Sequence, residues 1–346
     1  AQILRNADIF IKAIFMIIGF SFLSKILGFI REILIAAKFG SGIETDAFFV
    51  ALSAVTLFKV IITSSLNTTL IPVLSEIEKN KGKKEKNKQT ILFLNITIVV
   101  SIVFIFLAWI ITPYIIKLIA FGFEGNQYEL TIKLMRIGLI TILFSGVVTV
   151  FRSYLQSETL FTESALADVS FNLVYIFYLI LLAGIYGITG LMVASVLAVV
   201  SQLIIQLPSI RKTKIKYRFI LDFNNEYVTK IAKLLPPVIL TVAVLDINTI
   251  IDRTLASTLE TGSISALNYG NRLLQLVLGI FIAAITTVLY PMISKEISNT
   301  ENGKVQMLVK SGINSILIIA IPATIGMVLL AEPLVRIVFE HGEFDF

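Results

Sequence analysis

The sequence predicts an all-α, polytopic membrane protein, and three observations carry that prediction. The 346-residue chain is 56% hydrophobic and only 15% charged, whereas soluble domains carry about 25% charged residues. Apolar runs of about 20 residues, the length that crosses roughly 30 Å of hydrocarbon, recur along it. Lysine and arginine gather in alternate connections between those runs, as in proteins threaded through a bilayer. This excludes a soluble enzyme and makes the net charge of +6 a property of loops, with no nucleic-acid partner implied. There is no cysteine, hence no disulfide frame and no thiolate metal site.

Nine spans are expected, near 9–37, 45–74, 91–117, 132–155, 163–183, 186–207, 231–258, 263–290 and 307–331. Pro72, Pro113, Pro208, Pro291 and Pro333 fall at or beyond span ends, whereas Pro236-Pro237 and Pro322 lie inside and predict kinks. The second connection holds Lys79, Lys81, Lys83, Lys84, Lys86 and Lys88. The sixth holds Arg211, Lys212, Lys214, Lys216 and Arg218, and the eighth Lys295 and Lys304. All are even-numbered, on the side of Arg5 and Lys12, so the N-terminus is expected in the cytoplasm.

An internal repeat is visible. Ile30-Arg31-Glu32-x-Leu34 matches Ile251-Asp252-Arg253-x-Leu255, and Leu70-x-Pro72-x-x-Ser75 matches Leu289-x-Pro291-x-x-Ser294. Pro113, Lys117 and Phe121 match Pro333, Arg336 and Phe339, and the landmarks recur at offsets of 218–221. Equivalent points lie six spans apart, an even number, so the copies are parallel repeats about an axis along the membrane normal. The expected organisation is a first unit over 1–207, a basic cytoplasmic linker over 208–230 and a partial second unit over 231–346. The first copy continues for three spans beyond the point where the second stops, so a C-terminal truncation is expected.

Charges inside the spans point to the function class. Lys25, Arg31 and Glu32 lie in the first span, Asp46 and Lys59 in the second, Asp246, Asp252 and Arg253 in the seventh, and Asn271 and Arg272 in the eighth. Each charge in a bilayer core costs roughly 2.5–3.5 kcal/mol on insertion scales, so such residues face cavities or pair with one another. Two readings stand. Asp252–Arg253 could pair with Arg31–Glu32 across the repeat, or the residues could line a pathway. Cations outnumber anions, which favours an anionic, phosphate-bearing substrate. Lys133, Arg136 and Arg152 sit near span ends and are expected to reach toward headgroups. Asp168 is a possible proton or sodium site. No Walker loop is present, and His341, the only histidine, is read as a solvated loop residue. No catalytic or metal-binding set is expected, and the chain reads as a transporter with no cofactor.

The stretches Ser24-Lys25-Ile26-Leu27-Gly28-Phe29-Ile30-Arg31-Glu32 and Phe39-Gly40-Ser41-Gly42-Ile43-Glu44-Thr45-Asp46-Ala47-Phe48-Phe49 resemble the MurJ (MviN) lipid II flippases of the MOP (multidrug/oligosaccharidyl-lipid/polysaccharide) superfamily. So do Gly262 to Leu273 and Glu332-Pro333-Leu334-Val335-Arg336 with Phe339 to Asp345. The resemblance covers the chain in order. It implies a MATE-like fold of two helical lobes and translocation of undecaprenyl-diphosphate-linked disaccharide-peptide to the outer leaflet of the bacterial cytoplasmic membrane. It also implies alternating access coupled to sodium or protons, by a monomer. Carried over, the diphosphate-binding residues are Arg31, Lys59 (arginine in the family), Arg272 and Lys25. Glu32, Asp46, Asp252, Arg253 and Asn271 support or gate. The alternatives are a flippase for another polyprenyl-diphosphate-linked oligosaccharide and a cation-coupled multidrug antiporter, whose cavity would be dominated by acids and aromatics.

Overall fold

The computed structural model describes residues 2–213, 215, 217–275 and 302–344, with side chains from Met16 onward apart from those of 65, 242–247 and 302–304. The second half of the eighth expected span, Pro291, Lys214, Lys216 and Lys295 lie outside the described residues. So do the side chains of Arg5, Lys12, Asp246 and Lys304.

Helices follow one another with no strand among the described residues. They are α1 (Gln2–Phe39), α2 (Ile43–Lys81), α3 (Lys83–Ile119), α4 (Gly125–Gly138), α5 (Ile140–Ser157), α6 (Thr162–Leu181) and α7 (Ala183–Lys212). After a linker come α8 (Glu226–Ala256), α9 (263–275), α10 (Asn302–Leu329) and α11 (Ala331–Phe339). Six stretches among the described residues are long and apolar enough to cross a membrane: α2, α3, α4 with α5, α6, α7 and most of α10. α1 and α8 have comparable length, at 38 and 31 residues. The outer face of α3 leaves Phe106, Leu107, Trp109 and Ile110 exposed, as a lipid-facing helix must.

Helices run further than the sequence pattern suggests. The lysine-rich stretch read as a connection is helical on both sides of Gly82, which joins α2 to α3 alone at φ 83°. Its Lys and Glu residues are good helix formers, and only the glycine adopts the left-handed backbone the break requires. Pro72, Pro113 and Pro208 therefore lie inside α2, α3 and α7 rather than at their ends. Such prolines are tolerated where neighbouring helices re-satisfy the freed backbone groups. Pro333, the third residue of α11, sits in a first turn, where the missing N–H costs nothing. α7 continues to Lys212 and α8 begins at Glu226, so the irregular linker is shorter than 208–230.

The repeat reappears in helix boundaries. α2 and α9 start 220 residues apart (43 and 263), and α3 and α11 end 220 apart (119 and 339). The continuous α3 thus corresponds to α10 plus α11, which break at Leu330.

In the first half α2 is central, packed against α3, α4 and α5, while α1 lies on α6 and α6 on α7. The second half meets the first through α2 on α8, with α3 on α8 and α1 on α11, and through bonds from α1 and α2 to α9. The larger apolar core runs through Phe48, Phe49, Val50 and Ala51 of α2 into Ile264, Tyr269, Phe339 and Phe344 of the second half. A second apolar cluster holds Tyr227 and Ile231 of α8 with Leu70, Leu74 and Ile77 of α2, so apolar burial joins the two halves at both ends, more extensively where Phe49, Tyr269 and Phe339 meet. We call the more extensive one the turn end, because the short turns at Gly40 and Gly262 lie there. The other end, called basic here, carries the lysine-rich join of α2 and α3 and the basic C-terminus of α7.

Candidate functional site

The charge anomaly of α1 resolves into a cluster at the junction of the halves. Adjacent helical residues project about 100° apart and do not normally face each other. The long Arg31 side chain nevertheless folds back so that its Nη2 donates to Glu32 Oε1 at 2.6 Å. Arg31 Nη1 donates to Asn172 Oδ1 of α6 at 3.1 Å, and Asn172 in turn donates to the carbonyl of Ser24 at 3.0 Å. The guanidinium lies 5.0 Å from the Tyr175 ring centroid and 5.8 Å from that of Phe171, close enough for cation–π attraction. Arg31 is therefore fixed from three sides.

Glu32 faces the other half. Its side chain is 4% exposed, and Oε1 lies 3.4 Å from Arg272 Nε, an ion pair without hydrogen-bond alignment. Oε2 accepts from Asn268 Nδ2 at 3.4 Å. Asn268 Oδ1 accepts from Arg253 Nη2 at 3.4 Å, and Arg253 Nη1 donates to the Phe49 carbonyl of α2. One buried carboxylate thus stands among Arg31, Arg253 and Arg272. The Arg272 side chain is 39% exposed, and among the described residues its guanidinium meets Gln275 at 3.2 Å and Glu32.

Asp46 lies elsewhere, at the turn end. Its Oδ2 accepts from the Gly262 N–H at 2.7 Å, and Oδ1 accepts from the Ser265 N–H at 2.8 Å and hydroxyl at 2.5 Å. It caps the N-terminus of α9, whose orphan N–H groups and positive dipole end favour a carboxylate. Around this cap, Tyr269 Oη donates to the Gly40 carbonyl at 3.1 Å, and the Glu343 N–H donates to the Ala37 carbonyl at 2.9 Å. A side chain on Gly40 would collide with the Glu343 backbone, and one on Gly342 with the Ala37 carbonyl. Phe49, Tyr269, Phe339 and Phe344 stack between these bonds at centroid separations of 5.1–6.2 Å.

Lys59 lines a separate cavity of about 270 Å³ between α2, α5, α6 and α7. Among the described residues no carboxylate lies within ion-pair distance of it. Arg152, expected to reach for headgroups, instead donates to Asp168 Oδ1 across this cavity at 2.7 Å. Arg136, also expected to reach outward, lies 4.1 Å from the Trp109 ring centroid.

The sequence-expected set is therefore brought together only in part. Arg31, Glu32, Arg253 and Arg272 form one cluster, Lys59 lies in the neighbouring cavity, and Asp46 belongs to the turn end. Lys25, Asp252 and Asn271 are exposed side chains outside the cluster. The expected pairing of Asp252 with α1 is replaced by Asn268 and Arg272, because α9 rather than α8 presents its polar face to Glu32. Asp246 lies outside the described side chains. Asn172 and Tyr175 were not singled out in the sequence. The signal for them was the polar i, i+4 pair Asp168 and Asn172 in an otherwise apolar helix.

Comparison with known proteins adds the family. The profile of Lipid II flippase MurJ matches residues 35–346. The chain belongs to the MurJ family. A probable lipid II flippase MurJ of Buchnera aphidicola subsp. Baizongia pistaciae is 28% identical over 341 residues, covering 97% of this chain and 66% of that protein. The lipid II flippase MurJ of Burkholderia cenocepacia is 24% identical over 347 residues, covering 96% and 66%. The chain spans 64–66% of the length of the three Buchnera relatives it matches. Among solved structures, a lipid II flippase MurJ in an inward closed conformation superposes with TM-score 0.78 at 25% identity, over 96% of this chain and 68% of that one. An inward-facing MATE multidrug transporter of the MOP superfamily reaches 0.73 at 14% identity, over 96% and 77%, a likeness of fold alone. MurJ membership and the apolar helices make this a multi-pass protein of the bacterial inner membrane.

Proposed function

We propose that the chain is the greater part of a flippase that carries a polyprenyl-diphosphate-linked glycan of the lipid II type from the cytoplasmic to the outer leaflet by alternating access. The observation that carries this reading is the charge count at the junction: among the described side chains, Arg31, Arg253 and Arg272 surround one carboxylate, that of Glu32. Guanidinium forks match phosphate oxygens in geometry as well as in charge. Arg272, partly exposed, would meet the diphosphate first, with Arg31 held ready behind it and Lys59 beside the path.

In this reading the basic end is cytoplasmic, the turn end faces the outer side, and the two halves move as lobes about the junction, in a monomer. The structure joins the halves by buried bonds at the turn end, which suits a state that loads from the cytoplasm. Resetting would draw on an ion, sodium or a proton, and on the membrane potential, worth about 2.3 kcal/mol per charge per 100 mV.

The test is Arg272→Ala in the full-length protein, reconstituted and supplied with the lipid-linked disaccharide-peptide. Flipping should fall at least tenfold with folding intact. Unchanged flipping by a normally expressed variant would overturn the assignment.

A further inference from the structure

Beside the junction, the cavity between α2, α5, α6 and α7 has a polar array of its own. Asp168 Oδ1 is saturated by two donors, Arg152 Nη2 at 2.7 Å and Gln202 Nε2 at 3.0 Å. Its other oxygen carries no bond from a described residue, and the side chain is 44% exposed within a cavity of about 270 Å³. Arg152 Nε is buried and has no hydrogen-bond partner. A buried donor left unpaired costs about 1–3 kcal/mol, so it marks a place where a ligand or water completes the network. Thr63 and Thr149 line the walls, and Lys59 stands at one side.

We propose that this cavity is a sugar subsite, in which Arg152, Asp168 and Gln202 hydrogen-bond the glycan attached to the phosphate that Lys59 takes. The chemistry is that of hydroxyl recognition. A carboxylate oxygen and an amide oxygen accept from sugar hydroxyls, and a guanidinium N–H donates to one. The three planar groups are already held by one another, so little freedom is lost when a ligand binds. The charges of Lys59, Arg152 and Asp168 leave the cavity one positive unit, enough for a phosphate edge but not for a second anion. Its position also fits. Asp168 lies one helical turn from Asn172, the partner of Arg31, in the direction of the basic end. A headgroup arriving from that end would pass the array before its diphosphate reached Arg31 and Arg272.

The proposal rests on the flippase reading, and one experiment separates the two. Full-length protein in nanodiscs is titrated with undecaprenyl diphosphate, which has no sugar, and with undecaprenyl-diphosphate-linked N-acetylated disaccharide. Asp168→Asn and Gln202→Ala should each weaken binding of the sugar-bearing lipid about tenfold and leave that of undecaprenyl diphosphate within twofold. Arg272→Ala should weaken both. Gln202→Ala keeps the Arg152–Asp168 pair and so tests the array even if Asp168→Asn does not fold. Equal losses on both lipids, or none on either, overturn the subsite while leaving the flippase reading in place. Wild-type protein that binds neither lipid overturns both.

Discussion

The two ends of this bundle are joined by different kinds of interaction. At the turn end the halves meet through a dry aromatic cluster and a carboxylate that accepts three hydrogen bonds from the first turn of α9. Phe339 is fully buried there, and Asp46 is only 2% exposed. At the basic end the polar contacts between the halves are surface ion pairs, Lys230 with Glu76 at 2.5 Å and Lys81 with Glu226, beside a smaller apolar cluster in which Tyr227 and Ile231 are buried with Leu74 and Ile77. Buried hydrogen bonds to charged groups are worth about 1.5–3 kcal/mol each, whereas exposed ion pairs are typically worth at most about 1 kcal/mol and are screened by salt. In its polar contacts the turn end is therefore the stronger joint and the basic end the weaker one. In the proposed alternating access, the ion pairs of the basic end would part at lower cost than the buried bonds of the turn end.

The largest effect is expected from removing the central carboxylate of the junction. Glu32→Gln leaves Arg31 and Arg272 facing one another without an anion, and loss of one partner from a buried ion network costs about 3–5 kcal/mol. Chemical unfolding of the reconstituted protein should show it, and added inorganic diphosphate should restore part of the loss by supplying the missing charge. Asp46→Ala comes next. It unpairs two buried N–H groups at the start of α9, so a loss of about 3 kcal/mol is expected, with the turn end populating open states. If the turn end were a passive contact, the substitution would change neither stability nor opening.

The basic end supplies the smaller effects. Glu158 is drawn up by partial burial but held below the usual carboxylate range by hydrogen bonds from Lys83 and Lys86, so its contribution is present above the ordinary carboxylate pKa. That contribution is lost as pH falls through the depressed folded value. Glu158→Gln should flatten the acid limb of the stability profile and leave neutral flipping unchanged. Lys230→Ala, at the exposed pair, should cost less than about 1 kcal/mol, and the difference should vanish in high salt. A large, salt-independent loss would remove the contrast between the two ends.

Sequence reading reached the helical class, the repeat and the charged stretch of α1 because each leaves a one-dimensional mark. A charge in an apolar run and a recurring offset need no third dimension. The partners of those charges leave no such mark. Asp46 and Ser265 stand 219 residues apart, and nothing at either position names the other. The repeat is even misleading here. Offset by 221, Asp46 falls on Leu267, so the cap runs one way only and symmetry would have predicted no acid. Arg152 and Asp168 were each visible, one as a headgroup contact and one as an ion site, yet their pairing depends on how α5 and α6 face a common cavity. The lysine run hid its structure for a different reason. Charge marks the solvent side of a membrane but does not separate a loop from a helix that extends beyond the hydrocarbon.

The measurement that bears most directly on the contrast between the ends uses the absence of cysteine from these 346 residues, with any cysteine elsewhere in the full-length protein replaced by serine. Single cysteines at Ile264, in the buried turn end, and at Thr63, in the cavity toward the basic end, would be probed in the full-length protein with a membrane-impermeant thiol reagent. The reagent would be applied to each face of sealed vesicles. Thr63→Cys should react from the cytoplasmic face only, and Ile264→Cys should be protected from both faces until Asp46→Ala is added, when it reacts from the outer face. Ready labelling of Ile264→Cys in the otherwise unaltered protein, with Thr63→Cys protected, would contradict a strong joint at the turn end.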